Sequence, residues 1–387
     1  MKSLLLLFSL LLTPANAKRC QVEFGSAYDN FPTWLTSEPS KEALPKTCIE
    51  NSMNAFSSWA GSLGHRNDGS EGTFIYCSEE GSTKSPYPMC HTPSYLNVTT
   101  NTYHAITDCL DINKEELYPI IATESGFYHN SLSHIEGDFG LGQVTDPVIG
   151  DVNNTWYSHI EALKESPKKS CRRLLKFIEE YELKPVEDDF RCSLTSAPKN
   201  PVLNALYTGF HYKMIKGYTE DFSKNHFLQT RVETLLGRNF TLKTFEKIKS
   251  VMTILSYNMG HIGTTMAMDE FLKQQLDFLS QFKKERQDIS TQIALINFQL
   301  KAKKEFNDGL IKKKATLIKE LEEQDWKIAW LRDPARFNGD NTPYSFGEFL
   351  TKRNLSHYLK VLTRRVEYLS RFDRDKICPT TDFLHIF

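Results

Sequence analysis

Glu124 is a carboxylate where a helix would ordinarily carry a hydrophobe. It lies in Tyr118–Asp146, YPIIATESGFYHNSLSHIEGDFGLGQVTD, four residues after Ile120 and three after Ile121. On a helix it would share an inward stripe with Leu117, Ile120, Ile121, Phe127 and Tyr128. Burial among apolar side chains disfavours the charged form of a carboxylic acid, which lets a glutamate keep its proton near neutral pH and serve as a general acid. The same placement suits a structural glutamate that pairs with an Arg or Lys or caps a nearby turn. Two further carboxylates follow, Asp138 and Asp146. Either could activate water if it faced Glu124 across roughly 6.5–9.5 Å, the separation of an inverting hydrolase. Both also suit turn and helix-cap positions. His129 and His134 sit on a polar loop and read as solvated rather than as ligands. With no CxxC or HExxH pair, no GxSxG elbow and no GxxxxGK phosphate cradle, neither a metal nor a cofactor is expected.

The elements that must position these groups follow from periodicity and punctuation. Residues 18–110 are rich in Gly, Ser, Pro and aromatics, with little helical period beyond a short helix around Glu50–Leu63. From Asp111 helical spacing takes over and carries Glu124. The Gly137–Gln143 run then supplies three glycines, suited to a close backbone approach beside the carboxylate. Trp156–Glu182 reads as one charged helix and Pro201 opens another. Thr244–Met259 reads as an apolar helix whose end, Ser256-Tyr257-Asn258-Met259-Gly260, brings polar groups to a rim closed by glycine. From Met266 to Leu300, and again from Leu310 to Leu331, apolar residues recur in steps near four and three, with Asn307-Asp308-Gly309 as the turn. This predicts an antiparallel helical hairpin whose seam Gln275 and Arg286 interrupt. Its lysines, Lys312–Lys314 among them, fit a solvated face, and the hairpin is a candidate for self-association. Phe346–Phe372 reads as the last helix.

Composition bounds the setting. Lys2, the apolar block Leu4–Leu12 and Ala15-Asn16-Ala17 read as a signal peptide of residues 1–17, with no later run approaching the ~20 apolar residues of a membrane span. A secreted or periplasmic protein without an integral membrane segment after cleavage is expected. The net charge of −1 argues against nucleic acid as a partner. Eight cysteines, all after the leader, suggest disulfides whose pairing the sequence leaves open. Five of them precede residue 110 and three follow it, so full pairing requires a bridge between the two regions.

Four stretches together resemble the soluble lytic transglycosylase family, related to the goose-type lysozymes. They are Ala122-Thr123-Glu124-Ser125-Gly126-Phe127, Gly137-Asp138-Phe139-Gly140-Leu141-Gly142-Gln143, Asn204 to Tyr212, and Ser256-Tyr257-Asn258-Met259-Gly260. Gly142 stands where the family usually has Met, and Asp138 where alanine is common. The resemblance implies a mainly α, lysozyme-like domain of the α+β lysozyme superfamily over 111–375, interrupted by insertions at about 151–199 and 265–340. The second insertion holds the hairpin. A Cys-rich N-terminal lobe (18–110) precedes the domain and a short tail (376–387) follows it. It further implies cleavage of the β-1,4 bond between N-acetylmuramic acid and N-acetylglucosamine in peptidoglycan strands. Glu124 would be acid then base and would form a 1,6-anhydro product. Ser125, Gln143, Tyr257 and Asn258 would orient the acid or hold the sugar. The competing expectations are a muramidase that pairs Glu124 with Asp138 or Asp146, and a non-catalytic protein that binds cell-wall glycan.

Overall fold

The computed structural model describes residues 28, 30–63, 74–77, 83–84, 93–129, 131–133, 140–186, 201–225, 227–302, 307–337, 342–353 and 355. Residues 57–63, 74–77, 83–84 and 131–133 are described through their backbone alone. The signal peptide, Asp138, His134, the end of the last expected helix and the tail 376–387 lie outside these residues. The chain is mainly helical. It divides into two compact units, Met1–Met214 with Glu367–Phe387, and Ile215–Val366.

The first unit contains α1 (Thr33–Thr36), α2 (Lys46–Leu63), β1 (Phe74–Cys77), β2 (Thr83–Lys84), α3 (Pro93–Cys109), α4 (Lys114–Glu124), β3 (Ser131–Ser133), α5 (Asp146–Glu165), α6 (Lys169–Glu180) and the start of α7 (Pro201–Asn225). The three strands form a small antiparallel sheet of order β2-β1-β3, with Ile75 opposite Leu132 and Cys77 opposite Thr83. Helix α3 is the centre of the unit, packing on α1, α2, α4 and α6. The sequence reads this stretch as loop because α3 has no apolar stripe. It is buried on nearly every side, and Thr99, Thr100, Asn101, Thr102 and Thr107 are buried beside Tyr95, Val98, Tyr103 and Ile106. Buried hydroxyls need acceptors, and Thr100 and Thr107 donate to Leu96 O and Tyr103 O one turn back, at 2.8 and 2.9 Å. Asn101 donates to Leu35 O and Ser37 O of the α1 region. The contacts therefore do not divide at residue 110, where composition changes. The bridge Cys109–Cys171 crosses that point and ties α3 to α6. Cys48 is disulfide-bonded as well.

The helix expected over Trp156–Glu182 is two helices, α5 and α6, parted at Ser166-Pro167-Lys168. Proline cannot extend the α5 ladder and pushes the residue before it out of the helical region. Trp156 and Leu163 of α5 and Cys171, Leu174 and Ile178 of α6 are buried.

The second unit contains the remainder of α7, then α8 (Leu228–Leu236), α9 (Leu242–Met259), α10 (His261–Ala302), α11 (Asp308–Leu331) and α12 (Phe346–Lys352). Helix α10 packs on α8, α9, α11 and α12. Thr241 caps α9 by accepting from Thr244 N–H at 3.0 Å, and Asn307 caps α11 by accepting from Leu310 N–H at 3.1 Å. The α10–α11 pair is antiparallel. Lys327 lies over the Phe282 ring and Asp325 accepts from Arg286 Nε at 2.5 Å, so position falls along one helix as it rises along the other. Phe271 anchors the near end against Phe337, Phe346 and Phe349. No described helix is long and apolar enough to cross a membrane.

Candidate functional site

Helix α4 delivers Glu124, and both its ends are set by local chemistry. At the start, the Asn113 side chain accepts from Glu115 N–H at 3.0 Å, and Glu115 and Glu116 put negative charge at the positive end of the helix. The fully buried Tyr212 of α7 donates its hydroxyl to Glu116 Oε2 at 2.6 Å, with burial first and the Glu116 charge second pushing the phenol pKa well up. At the far end Ser125 N–H still reaches Ile121 O at 3.1 Å, but Gly126 and Phe127 take φ of +56° and +68°. Gly126 is required there: a Cβ on it would lie 2.2 Å from Phe56 Cβ, besides the left-handed backbone. Phe127 holds the same region at a cost. It is fully buried between the rings of Tyr103 and Tyr118, at 5.6 and 5.4 Å.

The helix thus ends at Glu124, three residues before Phe127. Leu117, Ile120 and Ile121 are buried as expected, whereas Glu124 is only partly buried. The enclosing apolar environment expected for it is only partly present. Two turns follow it in the chain, one at Ser125–Phe127 and one at Gly140–Gln143.

These turns are fastened by buried hydrogen bonds. Ser125 Oγ donates to Leu141 O at 2.8 Å, which joins the end of α4 to the glycine segment. Asn204 of α7, 2% exposed, accepts from Leu141 N–H at 2.6 Å and donates to His129 O at 3.2 Å. Gly140 has φ +79°, and a Cβ there would fall 2.0 Å from Asn204 Nδ2, so the glycine leaves room for the clamp. On the other side Tyr95 of α3 donates its hydroxyl to Phe127 O at 3.2 Å and accepts from His129 N–H at 3.0 Å. The His129 ring stacks on Tyr95 at 5.1 Å, with Nδ1 2.7 Å from the phenol oxygen. The bonds close if Nδ1 carries the proton. Burial pushes the Tyr95 pKa upward, keeping the phenol neutral. His129 is therefore a buried strut and not a solvated loop residue.

The other expected site residues fall differently. Ser125 is fully buried and its hydroxyl is committed to Leu141, so it positions the acid's neighbourhood and is not placed to touch a sugar. Gln143 is 6% exposed, with φ +46°, and its Nε2 donates to Gly140 O at 2.9 Å. It fastens its own turn rather than presenting an amide to substrate. Asp146 is exposed in the first turn of α5, where its charge complements the helix dipole. Asp138 lies outside the described residues. Tyr257 is half-buried and Asn258 exposed at the end of α9, in the second unit, where Gly260 at φ +76° caps the helix through its N–H to Ser256 O at 2.9 Å. Gly209 of α7 is explained by packing, since a Cβ there would lie 2.6 Å from Ile106 Cγ2.

Tyr95 and Asn204 hold this site together, although neither figures among the expected site residues. An amide inside the apolar run PVLNALYTGF was the available signal for Asn204. No family model, no curated protein and no solved structure matches the chain.

Proposed function

We propose that the chain is an exported peptidoglycan-cleaving glycosidase of lytic transglycosylase type, with Glu124 as its acid and base. One observation carries the reading furthest: a partly exposed carboxylate ends a helix, and the turns that follow it are pinned by Ser125, Asn204 and Tyr95. Pre-organisation of this kind is what a reacting group needs, because a misplaced acid loses much of the gain from orientation. A glycan laid over its exposed part would displace water from the carboxyl.

In the proposed reaction Glu124 gives its proton to the glycosidic oxygen as the bond to muramoyl C1 breaks. The N-acetyl oxygen of the same sugar takes up the electron deficiency at C1, so no second carboxylate is needed. Glu124, now ionised, removes the proton of the C6 hydroxyl, whose oxygen closes on C1 as the N-acetyl group leaves. The 1,6-anhydro sugar forms and Glu124 regains its proton. The resemblance alone gives Tyr257 and Asn258 their parts in holding the sugar. It also frames 111–375 as lysozyme-like with the α10–α11 hairpin as an insertion. Self-association through that hairpin is supported by the exposed Leu295 and Phe298.

Digestion of defined peptidoglycan by the parent and by Glu124→Gln, with products weighed, tests the reading. The variant should keep its melting temperature and lose on the order of 10³-fold in rate, the scale of general acid catalysis. An unchanged rate, or an inactive parent, removes the enzyme and leaves a glycan-binding protein. Reducing-end muramic acid without anhydro product moves the assignment to a hydrolase using Asp138 or Asp146.

A further inference from the structure

At the opposite end of α4 lies a cleft of about 420 Å³, within the size range of small-molecule sites. Glu42, His104, Asp108, Asp111, Lys114 and Lys168 line it. Lys114 and Glu124 are the first and last residues of α4, so at ~1.5 Å per residue the helix sets the cleft roughly 15 Å from the candidate acid.

The lining carries both signs of charge, and Lys114, Lys168, Asp108 and Asp111 are each bonded. Lys168 Nζ donates to Asp108 O at 2.7 Å and pairs with the Asp111 carboxylate. Lys114 Nζ donates to Glu42 O at 2.7 Å, using one of its three N–H groups. Ser170 Oγ donates to Asp108 Oδ2 at 2.5 Å, and the Cys109–Cys171 bridge joins the residues adjacent to Asp108 and Ser170. Half-buried His104 has its pKa lowered by burial, against the opposing pull of Asp108, so its imidazole is neutral at pH 7 and offers an acceptor nitrogen. Three carboxylates oppose a polyanion. Among the described residues no three His, Cys, Asp or Glu groups converge as metal ligands. A ligand that meets Asp108 and His104 with an ammonium and Lys114 with a carboxylate satisfies both signs at once.

We propose that this cleft binds a small zwitterion of amino-acid type, a free amino acid or short unblocked peptide, between Asp108 and His104 on one side and Lys114 on the other. The assignment does not rest on the chemistry at Glu124.

Calorimetric titration of the full chain with alanylalanine tests it, with alanine, N-acetyl-alanylalanine and alanylalanine amide as comparisons. Saturable binding of alanylalanine or alanine is expected, at least tenfold tighter than either blocked dipeptide. Whichever of the two free forms binds tighter sets the ligand length. Lys114→Gln and Asp108→Asn should each weaken the free form about tenfold at an unchanged melting temperature, while Glu124→Gln leaves the affinity alone. No saturable heat from either free form overturns the proposal, as does equal binding of the blocked forms. The blocked ligands decide on the parent protein even where a variant fails to fold.

Discussion

A buried amide whose oxygen and nitrogen both bond backbone is hard to replace. Asn204 accepts from Leu141 N–H and donates to His129 O, and removing it strands both partners away from water. Each stranded group costs about 1–3 kcal/mol. Asn204→Leu, which keeps the branched shape and removes the bonds, should therefore lower stability by roughly 3 kcal/mol, read as a fall in urea midpoint at unchanged slope. On the proposed reading wall lysis falls further than the folded fraction does, because the turn beside Glu124 loses its anchor. At this scale the sequence was legible in residue type and illegible in role. Glu124 could be found from its spacing on the apolar stripe. That it ends the helix goes with the left-handed backbone of Gly126, which Phe56 crowds from a helix far away in sequence. Gln143 could be found by its motif, but a left-handed backbone that folds its amide onto Gly140 leaves no trace in residue order.

Among the elements, the hairpin was the most legible because its period is long and repeated. Met268, Leu272, Leu279, Phe282 and Ile296 are buried along α10, as are Leu317 and Leu331 along α11. Helix α3 was the least legible, since burial on nearly all sides, with Thr100 and Thr107 bonded one turn back, erases the periodicity that marks a helix. The two seam interruptions seen in the sequence differ in physical character. Arg286 reaches out of the seam to Asp325 at the surface. Gln275 stays inside at 2% exposure, and its Oε1 is buried without a hydrogen-bond partner. Such an amide costs desolvation energy and gains specificity of register only if it finds a partner. Gln275→Leu is expected to stabilise the helices around it by about 1 kcal/mol, measured as slower amide exchange in α10. A loss of stability there would show that the amide makes bonds through bound water.

For the molecule as a whole, the division into two units has a consequence that the Cys109–Cys171 bridge makes measurable. The bridge closes a separation of 62 residues within the first unit and joins α3 to α6, the helices around which that unit is packed. By the chain-entropy relation a loop of that size is worth roughly 4 kcal/mol, set against the opened chain. The second unit has its own core, with Phe271, Phe337, Phe346 and Phe349 at one end and the paired helices α10 and α11 at the other. Units with separate cores open with separate free energies. A Cys109→Ser, Cys171→Ser double variant should then exchange its amides faster in α3, α4 and α6, while α10 and α11 keep the protection they have in the parent. Hydrogen exchange read by peptide mass resolves the two sets within one sample. Equal acceleration in both would mean that the chain opens as one cooperative body despite its two cores. Acceleration confined to the first set would place the candidate acid, at the end of α4, in the part of the protein whose persistence depends on an oxidised compartment.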